Sequence, residues 1–193
     1  GDKEKMSHYK NGVLDGPYQY FYDNGKINVS GQYKNGEKDG EWTWYTNQGT
    51  RDMQGKFDKS QQHGDWSYWY PTGEISYHAK FDNDVKTGQW TYFYKNGKKF
   101  KEGSFASDEK NGLWQTWYEN GTLLMEGSYT NGKEHGEWNN YWDSGELKNK
   151  TTFKDGLMSG EWLSYTPDGK LKLSGKYEDN MKVGEWSEYF DNG

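Results

Sequence analysis

The sequence predicts an all-β fold: an elongated repeat array of eight 24-residue β-hairpin units forming one continuous twisted or bent antiparallel sheet. Three observations predict it. Gly-x-Trp recurs with its glycine at Gly40, Gly64, Gly88, Gly112, Gly136, Gly160 and Gly184, preceded by the variant Gly16-Pro17-Tyr18. A second glycine follows nine positions later in every unit, from Gly25 to Gly193. Aromatic residues keep fixed places between these glycines, and short units of this kind bury surface only by stacking on their neighbours. Residues 1–193 therefore read as a single repeat domain, with 1–15 a partial N-terminal unit.

Counting from the first glycine as zero, position 2 is Trp or Tyr in every unit, and position 5 is aromatic throughout, from Phe21 and Tyr45 to Tyr165 and Tyr189. A ring-rich run closed by Lys95-Asn96-Gly97 or Glu119-Asn120-Gly121 reads as a strand entering a hairpin turn. The second strand carries Ile27, Ile75, Leu123, Leu147 and Leu171 at position 11, a small residue at position 15 and Tyr or Phe at position 17. Shared parity predicts that these three face one side of the sheet. A loop such as Lys34–Asp39 then leads into the next unit, so the array contains about sixteen strands.

Two details sharpen the expectation. Glycine weakens a strand interior unless something approaches closely, so Gly31, Gly55, Gly103, Gly127 and Gly175 predict a position-2 Trp lying flat over each missing side chain. Ala79 and Thr151 are the two exceptions. Positions 2 and 5 have opposite parity, so either both faces carry rings or a bulge between them bends the strand, the second being favoured for so long an array. Trp66, Trp90, Trp114, Trp138 and Trp162 are the expected core.

Composition narrows the function. Leu, Ile, Val and Phe make up only about an eighth of the chain, a disorder-like profile, but 11 Trp, 17 Tyr and 8 Phe in register build a core from rings. Cysteine is absent, which removes disulfides, thiolate nucleophiles and thiolate metal sites. Net charge is −6, near balance before Asn96 and acidic after it, which disfavours nucleic acid and anionic membrane as partners. The compartment stays open between cytoplasmic and, if a signal or lipid anchor preceded Gly1, extracytoplasmic. His63 and His135 lie three units apart, about 30 Å along the sheet, too far to share a metal ion. No unit gathers a nucleophile, base and orienting group, so the expectation is a non-enzymatic protein with no cofactor and no metal site.

The segments Gly31-Gln-Tyr-Lys-Asn-Gly-Glu-Lys-Asp-Gly-Glu-Trp42 and Gly127-Ser-Tyr-Thr-Asn-Gly-Lys-Glu-His-Gly-Glu-Trp138 resemble the MORN repeat, and more closely its bacterial variant in YwqK-type antitoxin-like proteins. The resemblance covers essentially the whole chain. It implies stacked hairpins and a protein-binding scaffold, in the bacterial group one of antitoxin or immunity type that holds a protein partner, sometimes a toxin. The motif departs at Lys80-Phe81-Asp82-Asn83-Asp84 and Ser104-Phe105-Ala106-Ser107-Asp108, where the Asn-Gly of the second loop is lost. Choline- and glucan-binding cell-wall repeats share Gly-x-Trp with paired aromatics but have a shorter period. They keep a cell-surface carbohydrate-binding module as the alternative.

Position 4 carries the candidate site. It is aromatic in the first four units, as Tyr20, Trp44, Tyr68 and Tyr92, and polar in the last four, as Thr116, Asn140, Ser164 and Glu188. Such a ladder, with rings about 10 Å apart on every second strand, suits a protein partner's apolar groups or stacked sugar rings, unless the rings only thicken the core. Glu41, Asp65, Glu137, Glu161 and Glu185 form an acidic stripe at position 1, read as solvated strand or as a track for a basic partner. Gln89 and Leu113 interrupt it, and an exposed Leu113 is a further candidate contact.

Overall fold

The computed structural model describes residues 3–190, and among these every regular element is a β-strand. The turn glycine expected at Gly193 lies outside the described residues. Contacts divide the chain into two compact units, Gly1–Gly97 and Lys98–Gly193. The first contains β1 (Lys5–Lys10), β2 (Val13–Phe21), β3 (Ile27–Lys34), β4 (Glu37–Tyr45), β5 (Arg51–Asp58), β6 (Gln61–Trp69), β7 (Ile75–Asp82), β8 (Val85–Lys86) and β9 (Gly88–Phe93). The second contains β10 (Lys99–Ala106), β11 (Glu109–Trp117), β12 (Leu123–Thr130), β13 (Lys133–Tyr141), β14 (Leu147–Lys154), β15 (Leu157–Tyr165), β16 (Leu171–Glu178) and β17 (Met181–Glu188). Within each unit consecutive strands pair antiparallel, and β8 and β9 are one strand interrupted at Thr87, both pairing with β7.

Two turn types alternate. After each ring-rich strand from β2 to β15 a glycine with positive φ closes a three-residue loop: the Gly49 N–H donates to the Thr46 carbonyl and the Thr46 N–H to the Thr50 carbonyl. The second loop is shorter than the sequence predicts. Its two central residues both take positive φ, as in Asn35 (52°) and Gly36 (85°), so Glu37, Lys38 and Asp39 already belong to β4. This tight turn survives at Asn83-Asp84 and Ser107-Asp108, where Asn-Gly is lost, because Asn, Asp and Ser reach the same backbone region at modest cost.

The glycine of Gly-x-Trp marks a bulge. Ser30 pairs with Thr43 and Gln32 with Asp39, so Gly40, Glu41 and Trp42 together oppose the single residue Gly31. Gly40 turns with φ +67°, which a residue without Cβ takes cheaply. The bulge tips the indole of Trp42 across the strand onto Gly31, where an added Cβ would lie 2.2 Å from the ring. The same overlap recurs for Gly55 and Trp66, Gly103 and Trp114, Gly127 and Trp138, and Gly175 and Trp186. The indole N–H of Trp42, Trp114 and Trp138 then donates to the carbonyls of Gln32, Ser104 and Ser128, each at 3.2 Å.

These indoles make a herringbone layer. Tyr33 stands edge-on between Tyr18 and Trp42, Phe57 between Trp42 and Trp66, and Phe81 between Trp66 and Trp90. In the second unit Tyr129 stands edge-on to Trp114 and Trp138 in the same way. Trp42 and Trp66 are 1% exposed, and Trp90, Trp114 and Trp138 no more than 5%, whereas Trp162 is only half-buried.

The bulge favoured between positions 2 and 5 is not the one observed. The ring-rich strand alternates regularly, and the register slips between positions 4 and 5 because the partner strand holds an extra residue: Trp44 pairs with Met53 and Tyr45 with Arg51, leaving Asp52 unmatched. Rings therefore lie on both faces, with positions 2, 4, 13 and 17 on the indole face and position 5 on the other. The same extra residue corrects the parity expected for position 11. Lys99, at that position, pairs with Glu102 at 2.6 Å and stands over Trp117, on the face opposite positions 15 and 17.

Candidate functional site

The indole face of the Gly1–Gly97 unit carries a continuous row of side chains running across the strands. Tyr20 pairs with Val29, Val29 with Trp44, Trp44 with Met53, Met53 with Tyr68, Tyr68 with Tyr77 and Tyr77 with Tyr92. Antiparallel strands put directly paired side chains on one face, so seven residues from seven strands form one line about 29 Å long at about 4.8 Å per strand. All seven are half-buried. The position-4 residues are thus neither core nor free surface: Trp44 packs on Trp42, Phe57 and Trp66 while its outer part meets solvent.

The rings stand on edge. Tyr68 and Tyr77 stack face to face with centroids 4.0 Å apart and planes 11° apart, and Tyr92 continues the stack at 5.3 Å from Tyr77. Their faces are spent on one another, and the Tyr68 hydroxyl bonds to Tyr77 and Gln62. Burial raises the pKa of Tyr68 and Tyr92. Tyr77 is raised most, by burial first and then by its Tyr68, Tyr92 and Asp52 neighbours, so these hydroxyls stay protonated donors at neutral pH.

Charged groups flank the row differently on its two sides. Towards the three-residue turns, the Tyr20 hydroxyl donates to Glu4 at 3.2 Å, and Asp23 and Asp52 lie near Tyr20 and Tyr77. Lys95 on that side stands over the ring of Tyr70 at 5.7 Å. On the other side the Lys38 ammonium sits over Trp42, Phe57 and Trp44 at 4.8, 4.9 and 5.6 Å, its pKa lowered by burial, and Lys86 sits over Trp90 at 5.4 Å.

The equivalent row of the Lys98–Gly193 unit is mostly polar. By the same pairing it runs Thr116, Met125, Asn140, Asn149, Ser164, Leu173 and Glu188, headed by Lys101 as Lys5, paired with Tyr20, heads the first row. Thr116 is buried, and Asn140 donates its amide to Asn149 at 2.8 Å. Here one pair of the row is joined by its own hydrogen bond.

The four ladder residues Tyr20, Trp44, Tyr68 and Tyr92 therefore share one line, and the structure adds Val29, Met53 and Tyr77 between them. Position 13 has no signature of its own across the repeats, so sequence reading passed over it; pairing with position 4 is the signal that reveals it. Leu113 is 53% exposed as expected, but it alternates with Trp114 along β11 and so lies on the face opposite the indoles of its own unit. It does not belong to a row of this kind. On that opposite face polar contacts join the position-5 rings: Ser67 with His78 at 2.9 Å, His78 edge-on to Phe93, Lys150 with Glu137 at 2.6 Å, and Tyr141 donating to Glu126 at 2.9 Å. Among the described residues no three His, Asp or Glu side chains gather as metal ligands.

The sequence profile of the family described as MORN repeat variant matches residues 14–35, 62–83, 86–106, 110–131, 134–155 and 158–179. The chain belongs to the MORN repeat variant family. Most of these matches run from one two-residue turn to the next, so the family's unit coincides with the observed hairpin, for example β2 with β3, rather than with a segment starting at Gly16. No curated protein matches the sequence. Among 67 matching chains of solved structures is one from a crystal structure described as TcdB2-TccC3-Cdc42, 12% identical, with a TM-score of 0.23. That match covers 89% of this chain and 11% of the other, so this chain spans about a ninth of its length. A TM-score that low has no bearing on the architecture.

Proposed function

We propose that this MORN repeat variant protein is a non-enzymatic scaffold that binds a protein partner through the Tyr20–Tyr92 row. The observation that carries the reading is the contrast between two equivalent rows: at position 4 one unit leaves Tyr20, Trp44, Tyr68 and Tyr92 half exposed where the other has Thr116, Asn140, Ser164 and Glu188. Half-exposed Tyr and Trp on a rigid sheet supply large contact area at low entropic cost, the usual make-up of protein-binding hot spots. An antitoxin or immunity-type role is the finer form of this proposal and rests on the sequence resemblance alone.

Carbohydrate binding is the weaker reading. Sugars stack on exposed ring faces, and the closest pair of the row, Tyr68 and Tyr77, covers its own faces. Net charge of −6 likewise disfavours nucleic acid and anionic membrane. The test is selection of a displayed peptide library on the full chain beside a glycan array. Peptides whose binding falls about tenfold in Tyr68→Ala, a loss on the order of 1.4 kcal/mol, support the proposal. Glycan binding with no row-dependent peptide overturns it.

A further inference from the structure

We infer that the row takes an amphipathic helix of the protein partner, apolar along one stripe, basic on the flank that meets the three-residue turns and acidic on the other. The inference rests on the reading of the row as a protein-binding surface. Its first support is spacing. Row residues repeat with the strands, about every 4.8 Å, and a helix advances about 5.4 Å per turn. One helical turn per strand drifts by less than one strand spacing over the whole line. An extended peptide laid along the row repeats its same-side residues at about twice 3.3 Å and loses step within about three strands. A helix covering about 29 Å needs about 20 residues, with anchors at i, i+3, i+4 and i+7.

The second support is charge. Glu4, Asp23 and Asp52 line the turn side of the row, where Lys95 stands over Tyr70 and Lys26 donates to the Gln48 carbonyl. Lys38 and Lys86 line the other side, each held over rings. A helix with unlike flanks satisfies both sides at once, whereas a uniformly acidic or uniformly basic one is repelled along one of them. Rings stacked on one another along the row leave an apolar seam of ring edges, which favours an aliphatic stripe over a second set of stacked rings.

The probe is a designed, fluorescein-labelled helix of about 20 residues with a leucine stripe, lysines on one flank and glutamates on the other, followed by anisotropy against the full chain. Binding is expected, with a loss of tenfold or more when the peptide lysines become glutamates, when a central proline breaks the helix, or when the protein carries Glu4→Gln with Asp52→Asn. Both protein changes are at exposed sites, and an unchanged thermal midpoint shows that the fold is intact. Equal binding of the all-acidic or the proline-broken peptide overturns the inference, as does binding indifferent to Tyr68→Ala. If no helical probe binds while extended library peptides bind through Trp44 and Tyr68, the inference fails and the scaffold reading stands. If only glycans bind, both fail.

Discussion

At the scale of single residues the structure turns on the contact between an indole and a missing side chain. Trp114 is buried against Gly103 and held edge-on by Phe105 and Tyr129, so Trp114→Ala is expected to cost about 3–5 kcal/mol, measured by denaturant unfolding. Gly127→Ala places a Cβ 2.1 Å from the Trp138 ring, yet Ala79 and Thr151 occupy the equivalent position of other hairpins, Thr151 paired with Trp162, so the strand can yield. The expected cost is about 1–3 kcal/mol, smaller than the loss of an indole. Trp44→Ala removes a ring that is half core and half surface, and an intermediate loss in thermal stability is expected, short of that in Trp114→Ala.

The tyrosines make an alkaline prediction at the same scale. Burial, then a hydrogen bond to Glu126, raises the Tyr141 pKa to about 12. The unfolded value is about 10, so the folded state holds this proton more tightly. Its contribution to stability is complete below about pH 10 and is lost as pH rises towards 12. Denaturant unfolding across that interval is expected to show falling stability, with a shallower fall in Tyr141→Phe. An equal fall in both proteins would assign the pH dependence to other groups such as Tyr77.

At the scale of elements the hairpins were legible and their limits were not. Glycine at fixed intervals marks the turns because only positive φ closes them, and that requirement is local. The length of β4 was hidden, because Glu37, Lys38 and Asp39 look like loop residues while their backbone is strand. The face taken by position 11 was hidden too, because the extra residue of the second strand shows itself only in pairing. The two-residue turn at Lys59-Ser60 puts a lysine at φ 47°, where the other turns place Asn or Asp, or in one case Ser107. Lys59→Asn is expected to stabilise the protein by about 0.5–1 kcal/mol, read as a rise in thermal midpoint. Ser60 should be kept, since its hydroxyl accepts the Lys38 N–H at 2.9 Å.

At the scale of the whole molecule the two units carry the same hairpins and different rows. Far-ultraviolet circular dichroism is expected to show β-structure without helical minima, since every regular element among the described residues is a strand. Binding is expected to follow the row and not the repeat: Tyr68→Ala should weaken a bound peptide about tenfold, whereas Ser164→Ala, at the equivalent place in the other unit, should leave it unchanged. Equal loss in both variants would place the contact on features the two units share.

The sequence by itself determined the class of fold, the repeat length, most of the position-2 indoles as core, Trp66, Trp90, Trp114 and Trp138 but not Trp162, and the reason for the mid-strand glycines. Each of these depends on residues close in the chain or on a rule repeated in every unit, and repetition makes a local rule visible many times over. Tertiary structure alone decided what position 4 does. Tyr20, Trp44, Tyr68 and Tyr92 become a surface only once Val29, Met53 and Tyr77 fill the spaces between them, and those partners arrive from other strands by pairing. Leu113 was separated from such a row by the same alternation that buries its neighbour Trp114. Which side chains share a face depends on register, and register is set by where an extra residue enters a strand, a property of two strands together that neither carries alone.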